Sequence, residues 1–303
     1  MQTLYEDLKQ VAQGWRWMRR PLTPRSAEPF LDEPERREFP TEWARTPAGK
    51  AAREALQRTI MKSIYWNEVA PRVEGLDNLE GLEAPAIFVS NHSSHLDAGL
   101  ILCTLPGEWR RKTATGAAAD YFFDTWWKSV GTSLLFNAFP IDRGGRRQQI
   151  PTARRLLEEG WNLLVFPEGT RTPDGWMQRF RHGTARLAIQ AGVPVVPIGI
   201  TGAYAAMPKG SSWPKAGRAP VLVRYGEPLY PTEGEDHRQL SRQMTEAVWR
   251  LIDEDRTTWW ESLTRAAQGE TPAPSGPQGP KWLRVWEGSK SPSRGGSKRA
   301  WKR

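Results

Sequence analysis

Between residues 3 and 19, apolar side chains recur three or four positions apart, at Leu4, Leu8, Val11, Trp15 and Met18. That spacing predicts one helical stripe. Residues 21–47 are rich in proline and charge and read as a linker, and residues 48–67 turn helical again with Leu56, Ile60, Ile64 and the pair Tyr65-Trp66. From about residue 72 the pattern becomes short apolar runs alternating with helical ones. Strands are predicted at 86–90, 112–116, 138–142, 162–166, 194–199 and 220–225. Helices are predicted at 95–105, 120–132, 149–160, 182–192 and 236–255. Such alternation predicts an α/β fold with a mostly parallel central sheet flanked by helices. Residues 266–303, rich in Pro, Gly and Ser, cannot bury much apolar surface and are expected to be disordered.

Three units follow: an N-terminal helical unit with its linker (1–67), an α/β domain (68–264) and a basic tail (265–303). The first unit offers a stripe either to the body or to a membrane, because Trp and Tyr favour the lipid–water boundary. Net charge sharpens this picture. The chain of 303 residues carries +9, but residues 265–303 hold nine Lys or Arg against two acids, and residues 1–60 hold eleven against nine. The remainder is balanced, so the body has no polyanion signature and no nucleic-acid partner is expected. The tail's Trp282, Trp286 and Trp301 among lysines and arginines suit anionic lipid heads. The single cysteine, Cys103, cannot form an internal disulfide. No apolar run reaches the roughly 18 residues of a spanning helix, and Met1–Gln10 has no signal-peptide core. A cytoplasmic chain, peripheral on the cytosolic face of a membrane, is the expectation.

Three polar clusters end predicted strands, and ligands of parallel α/β sheets bind at such ends. In Ser90-Asn91-His92-Ser93-Ser94-His95-Leu96-Asp97, a strand gives way to a helix. His92 and Asp97 would stand about 140° apart on a regular helix, so they pair only if His92 lies on a bend before it. An imidazole can take a proton from an alcohol, and a carboxylate on its other nitrogen fixes the tautomer. Helix capping by Asn91, Ser93 and Asp97 is the plainer reading, and His95 is a second candidate base. In Phe166-Pro167-Glu168-Gly169-Thr170-Arg171, Arg171 can clamp a phosphate, Gly169 can let backbone approach a ligand, and Glu168 can bond a hydroxyl or orient Arg171. Arg143, in Ile141-Asp142-Arg143-Gly144-Gly145, shares that placement. Val193-Pro194-Val195-Val196-Pro197 reads as an irregular or marginal strand, since neither proline can donate to a ladder.

These blocks, in this order, resemble the PlsC-like glycerolipid acyltransferase family, which includes lysophosphatidate acyltransferases. The match comprises Asn91, His92 and Asp97, then Arg143, then the whole of 166–171, then 193–197, with Gly226-Glu227-Pro228-Leu229 also similar. The resemblance covers roughly residues 70–255. It implies that His92, oriented by Asp97, deprotonates an acceptor hydroxyl that attacks the thioester of acyl-CoA or acyl carrier protein. It further implies a head-group site of Asn91, Arg143, Glu168, Gly169, Thr170 and Arg171, a lysophospholipid acceptor, and no metal or redox cofactor. Where phosphate-binding members carry a Lys-Lys-Glu-like stretch, Gly116–Tyr121 has no basic residue, which favours another lysophospholipid or lipid alcohol as acceptor.

Overall fold

A computed structural model describes residues 41–118, 126–141 and 150–290. The predicted helix at 3–19, the first part of the one predicted at 120–132, and the loop bearing Arg143 lie outside the described residues. The chain enters through Pro47–Leu56 (α1), where Thr46 caps the helix by accepting from Gly49 N–H and proline fills the first position. A π turn, Gln57–Met61, leads into Lys62–Glu68 (α2). This helical lead-in packs on the body. Gln57 donates to the Leu135 carbonyl at 2.7 Å, and the Tyr65 hydroxyl sits where a Cβ on Gly99 would be, 2.0 Å away.

The strands are Val69–Glu74 (β1), Ile87–Ser90 (β2), Thr113–Ala118 (β3), Ala138–Ile141 (β4), Asn162–Val165 (β5), Val195–Thr201 (β6) and Ala219–Tyr225 (β7). Between β2 and β4 lie the helices Leu96–Thr104 (α3), Gly107–Arg111 (α4) and Trp126–Phe136 (α5). Ile150–Glu158 (α6), Gly183–Ala191 (α7) and Ala203–Ala206 (α8) follow β4, β5 and β6, and after β7 come His237–Arg256 (α9), Trp259–Gln268 (α10) and Lys281–Gly288 (α11). One mixed sheet results, ordered β1-β7-β6-β2-β5-β3-β4, and its neighbours are parallel except β6 and β7.

The central strands are buried on both faces, which is why they read as unbroken apolar runs rather than alternating ones. Ile87, Val89, Leu163, Val165 and Val195 pack on one side with Leu156 of α6, Leu187 of α7 and Val248 of α9. Phe88, Leu164, Val196 and Ile198 pack on the other with Leu100 and Ile101 of α3. Each such side chain contributes about 1.5–3 kcal/mol on burial.

Three expectations change. The proline-flanked strand is neither marginal nor peripheral, since β6 lies at the sheet centre with Val195–Ile200 buried. Pro197 faces Gly226, one residue beyond the end of β7, and its carbonyl still accepts from Gly226 N–H at 2.8 Å. The missing donor therefore falls where the regular ladder has stopped. Second, Val69–Glu74 forms an edge strand. Third, the expected disorder does not hold over 266–290. That stretch includes the end of α10 and all of α11, and Arg284 holds Asp174 through Nε and Nη2 at 2.8 and 2.6 Å.

Candidate active site

Strand β2 ends at Ser90 and α3 begins at Leu96, so residues 91–95 form the bend that the pairing of His92 and Asp97 requires. Asp97 Oδ2 lies 2.9 Å from His92 Nδ1. The same oxygen accepts the backbone N–H groups of Ser93 and Ser94, at 2.7 and 2.8 Å. An ionised carboxylate only accepts, so Nδ1 carries the hydrogen and Nε2 is left as the basic nitrogen. Asp97 is fully buried, whereas the His92 side chain keeps about a fifth of its surface open. The Phe166 ring stacks on the imidazole, with centroids 4.2 Å apart. Asp97 Oδ2 takes His92, the candidate base, as its imidazole partner. Burial first, then the charge of Arg171, hold His95 down to about 4. The Arg171 guanidinium is thus within electrostatic reach of His95.

Strand β5, the neighbour of β2, delivers the second loop. Two hydrogen bonds tie the two loops together, and a third closes the second loop on itself. Thr172 N–H donates to the His92 carbonyl at 2.9 Å, and Glu168 Oε1 accepts from His92 N–H at 2.7 Å. Glu168 Oε2 accepts from Gln178 N–H at 3.0 Å. Glu168 is thus buried and occupied by backbone, which departs from the expected head-group contact. Burial pushes its carboxyl up to about 8, against the two N–H donors, which favour the ionised form. Gly169 has φ +77, and a Cβ there would lie 2.9 Å from the Arg181 guanidinium carbon. The left-handed φ is what calls for glycine at this turn, since the Arg181 side chain can swing aside.

The other expected site residues fall differently. Asn91 is buried and bridges β2 to β6: its amide donates to the Ile200 carbonyl at 2.9 Å and its Oδ1 accepts from Ile200 N–H at 2.8 Å. It extends the sheet by one side chain and so fixes where His92 begins. Thr170 and Arg171 are half-buried at the loop's outer turn, and the Arg171 carbonyl accepts from Lys209 Nζ at 3.2 Å. Arg143 lies outside the described residues. Lys209, Ser93, Ser94 and Gln178 were not expected. Three of them act through backbone atoms, which residue type does not reveal. A cavity of about 540 Å³ opens one loop away, lined by Asp174, Trp176, Gln178 and Arg284 among others, and includes neither His92 nor Asp97.

Residues 70–201 match the family model described as Acyltransferase. A chloroplastic 1-acyl-sn-glycerol-3-phosphate acyltransferase of Arabidopsis thaliana is 35% identical over 143 residues, which are 46% of this chain and 38% of that protein. A 1-acyl-sn-glycerol-3-phosphate acyltransferase of Pseudomonas aeruginosa is 30% identical over 188 residues, 56% of this chain and 62% of that protein. The chain therefore spans less than two thirds of the length of either relative. The crystal structure of the 1-acyl-sn-glycerophosphate acyltransferase PlsC from Thermotoga maritima superposes with a TM-score of 0.57 and 26% identity, over 73% of this chain and 85% of that one.

Proposed function

From the match of residues 70–201 to the Acyltransferase family model and the likeness to the PlsC structure, we propose that the chain transfers a fatty acyl group from a thioester, acyl-CoA or acyl carrier protein, to the hydroxyl of a lysophospholipid acceptor resembling 1-acylglycerol-3-phosphate. The observation that carries this reading is the 2.9 Å contact between His92 Nδ1 and Asp97 Oδ2, on a loop bonded to the Glu168–Arg171 turn. His92 Nε2 takes the proton as the acceptor oxygen attacks the thioester carbonyl. Buried Asp97 stabilises the imidazolium that forms. When the tetrahedral intermediate collapses, the C–S bond breaks and the imidazolium proton goes to the departing thiolate. Arg171 holds the acceptor's anionic head, and Arg143 is proposed as its second cation. Asn91, Glu168 and Gly169 serve by fixing the two loops. The scheme needs no metal or redox cofactor.

The relatives' names support a phosphate-bearing acceptor. The absence of a basic residue in the sequence Gly116–Tyr121 favours a different lysophospholipid or lipid alcohol. No helix among the described residues is long and apolar enough to cross a membrane. We propose that the reaction runs at a membrane surface, because both substrates carry acyl chains, and on the cytosolic face, where acyl-CoA and acyl carrier protein would be met. Measuring thiol release from acyl-CoA across a panel of lysolipids tests the proposal. Acceptor-dependent release supports it, and release that no member of the panel stimulates refutes it.

A further inference from the structure

Helix α11, Lys281–Gly288, lies beyond the family-model match, and its two faces do different things. The inner face is bonded to the body. Arg284 grips Asp174, its Nη1 donates to the Pro277 carbonyl at 3.1 Å, and Trp176 Nε1 donates to the Arg284 carbonyl at 3.0 Å. Just upstream, Trp249 Nε1 donates to the Pro272 carbonyl. This segment is therefore held in one orientation. Asp174 stands two residues after Thr172, whose N–H binds the His92 carbonyl, so the helix sits one loop from the candidate active site.

The outer face is a stripe of opposite character. Trp282 and Trp286, one helical turn apart, are 69% and 57% exposed. Lys290 follows after another turn, with Nζ 4.2 Å from the Trp286 ring centre, and Lys281 is exposed beside Trp282. A single exposed indole needs no explanation, but two aligned on a fixed helix expose an apolar strip. Residues 281–303 carry eight Lys or Arg and one acid, Glu287. Indoles flanked by lysines match a bilayer's boundary layer, where the ring meets the acyl edge and the ammonium meets phosphate. The basic excess matches an anionic leaflet.

We propose that α11 is a lipid-docking face, its Trp282–Trp286–Lys290 stripe seating the protein on an anionic phospholipid surface beside the reaction site. The choice of a membrane as occupant rests on the reading that the site acts on lipids. Because the inner face is tied to the 173–176 loop, docking sets the height of that loop above the bilayer.

The test uses the full chain and vesicles of phosphatidylcholine with and without phosphatidylglycerol. Sedimentation should show binding that needs phosphatidylglycerol and weakens as salt rises. The double variant Trp282→Ala/Trp286→Ala, whose lost rings are mainly solvent-facing, should partition at least ~30-fold less, from the loss of two half-inserted indoles. Trp282→Phe/Trp286→Phe should recover much of the binding. Acyl transfer to a short-chain lysolipid below its aggregation concentration should be unchanged in the alanine variant. Unaltered partitioning of that variant, or equal binding of parent and variant to heparin and to vesicles, overturns the proposal and makes the tail a polyanion binder. Loss of activity toward the monomeric lysolipid overturns it too, because α11 would then serve the site. If the parent shows no acyl transfer at all, the enzymatic reading fails while the vesicle result stands separately.

Discussion

Glu168 separates a scaffold from a substrate ligand. Its carboxyl oxygens accept the N–H groups of His92 and Gln178, at 2.7 and 3.0 Å, and the residue is 3% exposed. In Glu168→Gln one acceptor becomes an NH2 donor, so one buried N–H faces a donor in place of an oxygen. An unsatisfied buried polar group costs about 1–3 kcal/mol. For a domain of this size each kcal/mol moves Tm by about 2–4 °C, giving a fall of about 2–12 °C. Glu168→Ala leaves both N–H groups without an acceptor and should lose roughly twice as much. The His92 backbone loses its anchor, so kcat should fall while the acceptor's KM holds. Calorimetry and steady-state thiol release on both variants provide the check. A Tm within about 1 °C of the parent, together with a raised acceptor KM, would show that the carboxylate addresses the ligand, and would refute the scaffold argument.

Arg171→Ala should raise the acceptor's KM far more than the donor's, and equal effects on both would remove its assignment as head-group clamp. Gly169→Ala places a Cβ 2.9 Å from the Arg181 guanidinium carbon at φ +77, which should cost about 1–3 kcal/mol and appear as a lower denaturation midpoint. His95 is held down to about 4, so the folded state binds fewer protons than the unfolded one between about pH 6.5 and 4. Stability should therefore fall as pH drops through that window, and His95→Gln should flatten this acid limb of a stability–pH series.

The central strands were legible because burial on both faces leaves only apolar residues in runs such as Ile87-Phe88-Val89 and Leu163-Leu164-Val165. Strand β1 was not, because an edge position tolerates Pro71, Arg72 and Glu74 within six residues, and that composition hides a strand. The reversal of β1 and β7 relative to the other five was also hidden, since side-chain periodicity carries no strand direction. Helix α11 was masked by the prolines, glycines and serines around it. At the site, the pairing of His92 with Asp97 was legible once a bend was granted. Asn91 and Glu168 were read as ligand contacts because residue type shows a polar group and not its partner. Both are consumed by backbone atoms brought in from β6 and from residue 178.

The account rests on His92 acting as base through a nitrogen that Asp97 keeps unprotonated. A single-turnover measurement of thiol release from acyl-CoA, with saturating lysolipid, compares the parent with His92→Ala and Asp97→Asn. The account predicts no release above the enzyme-free rate for His92→Ala, and a fall of roughly 10²–10⁴ for Asp97→Asn, where the amide no longer enforces the tautomer. Acceptor-dependent release by His92→Ala at a rate comparable to the parent would contradict it.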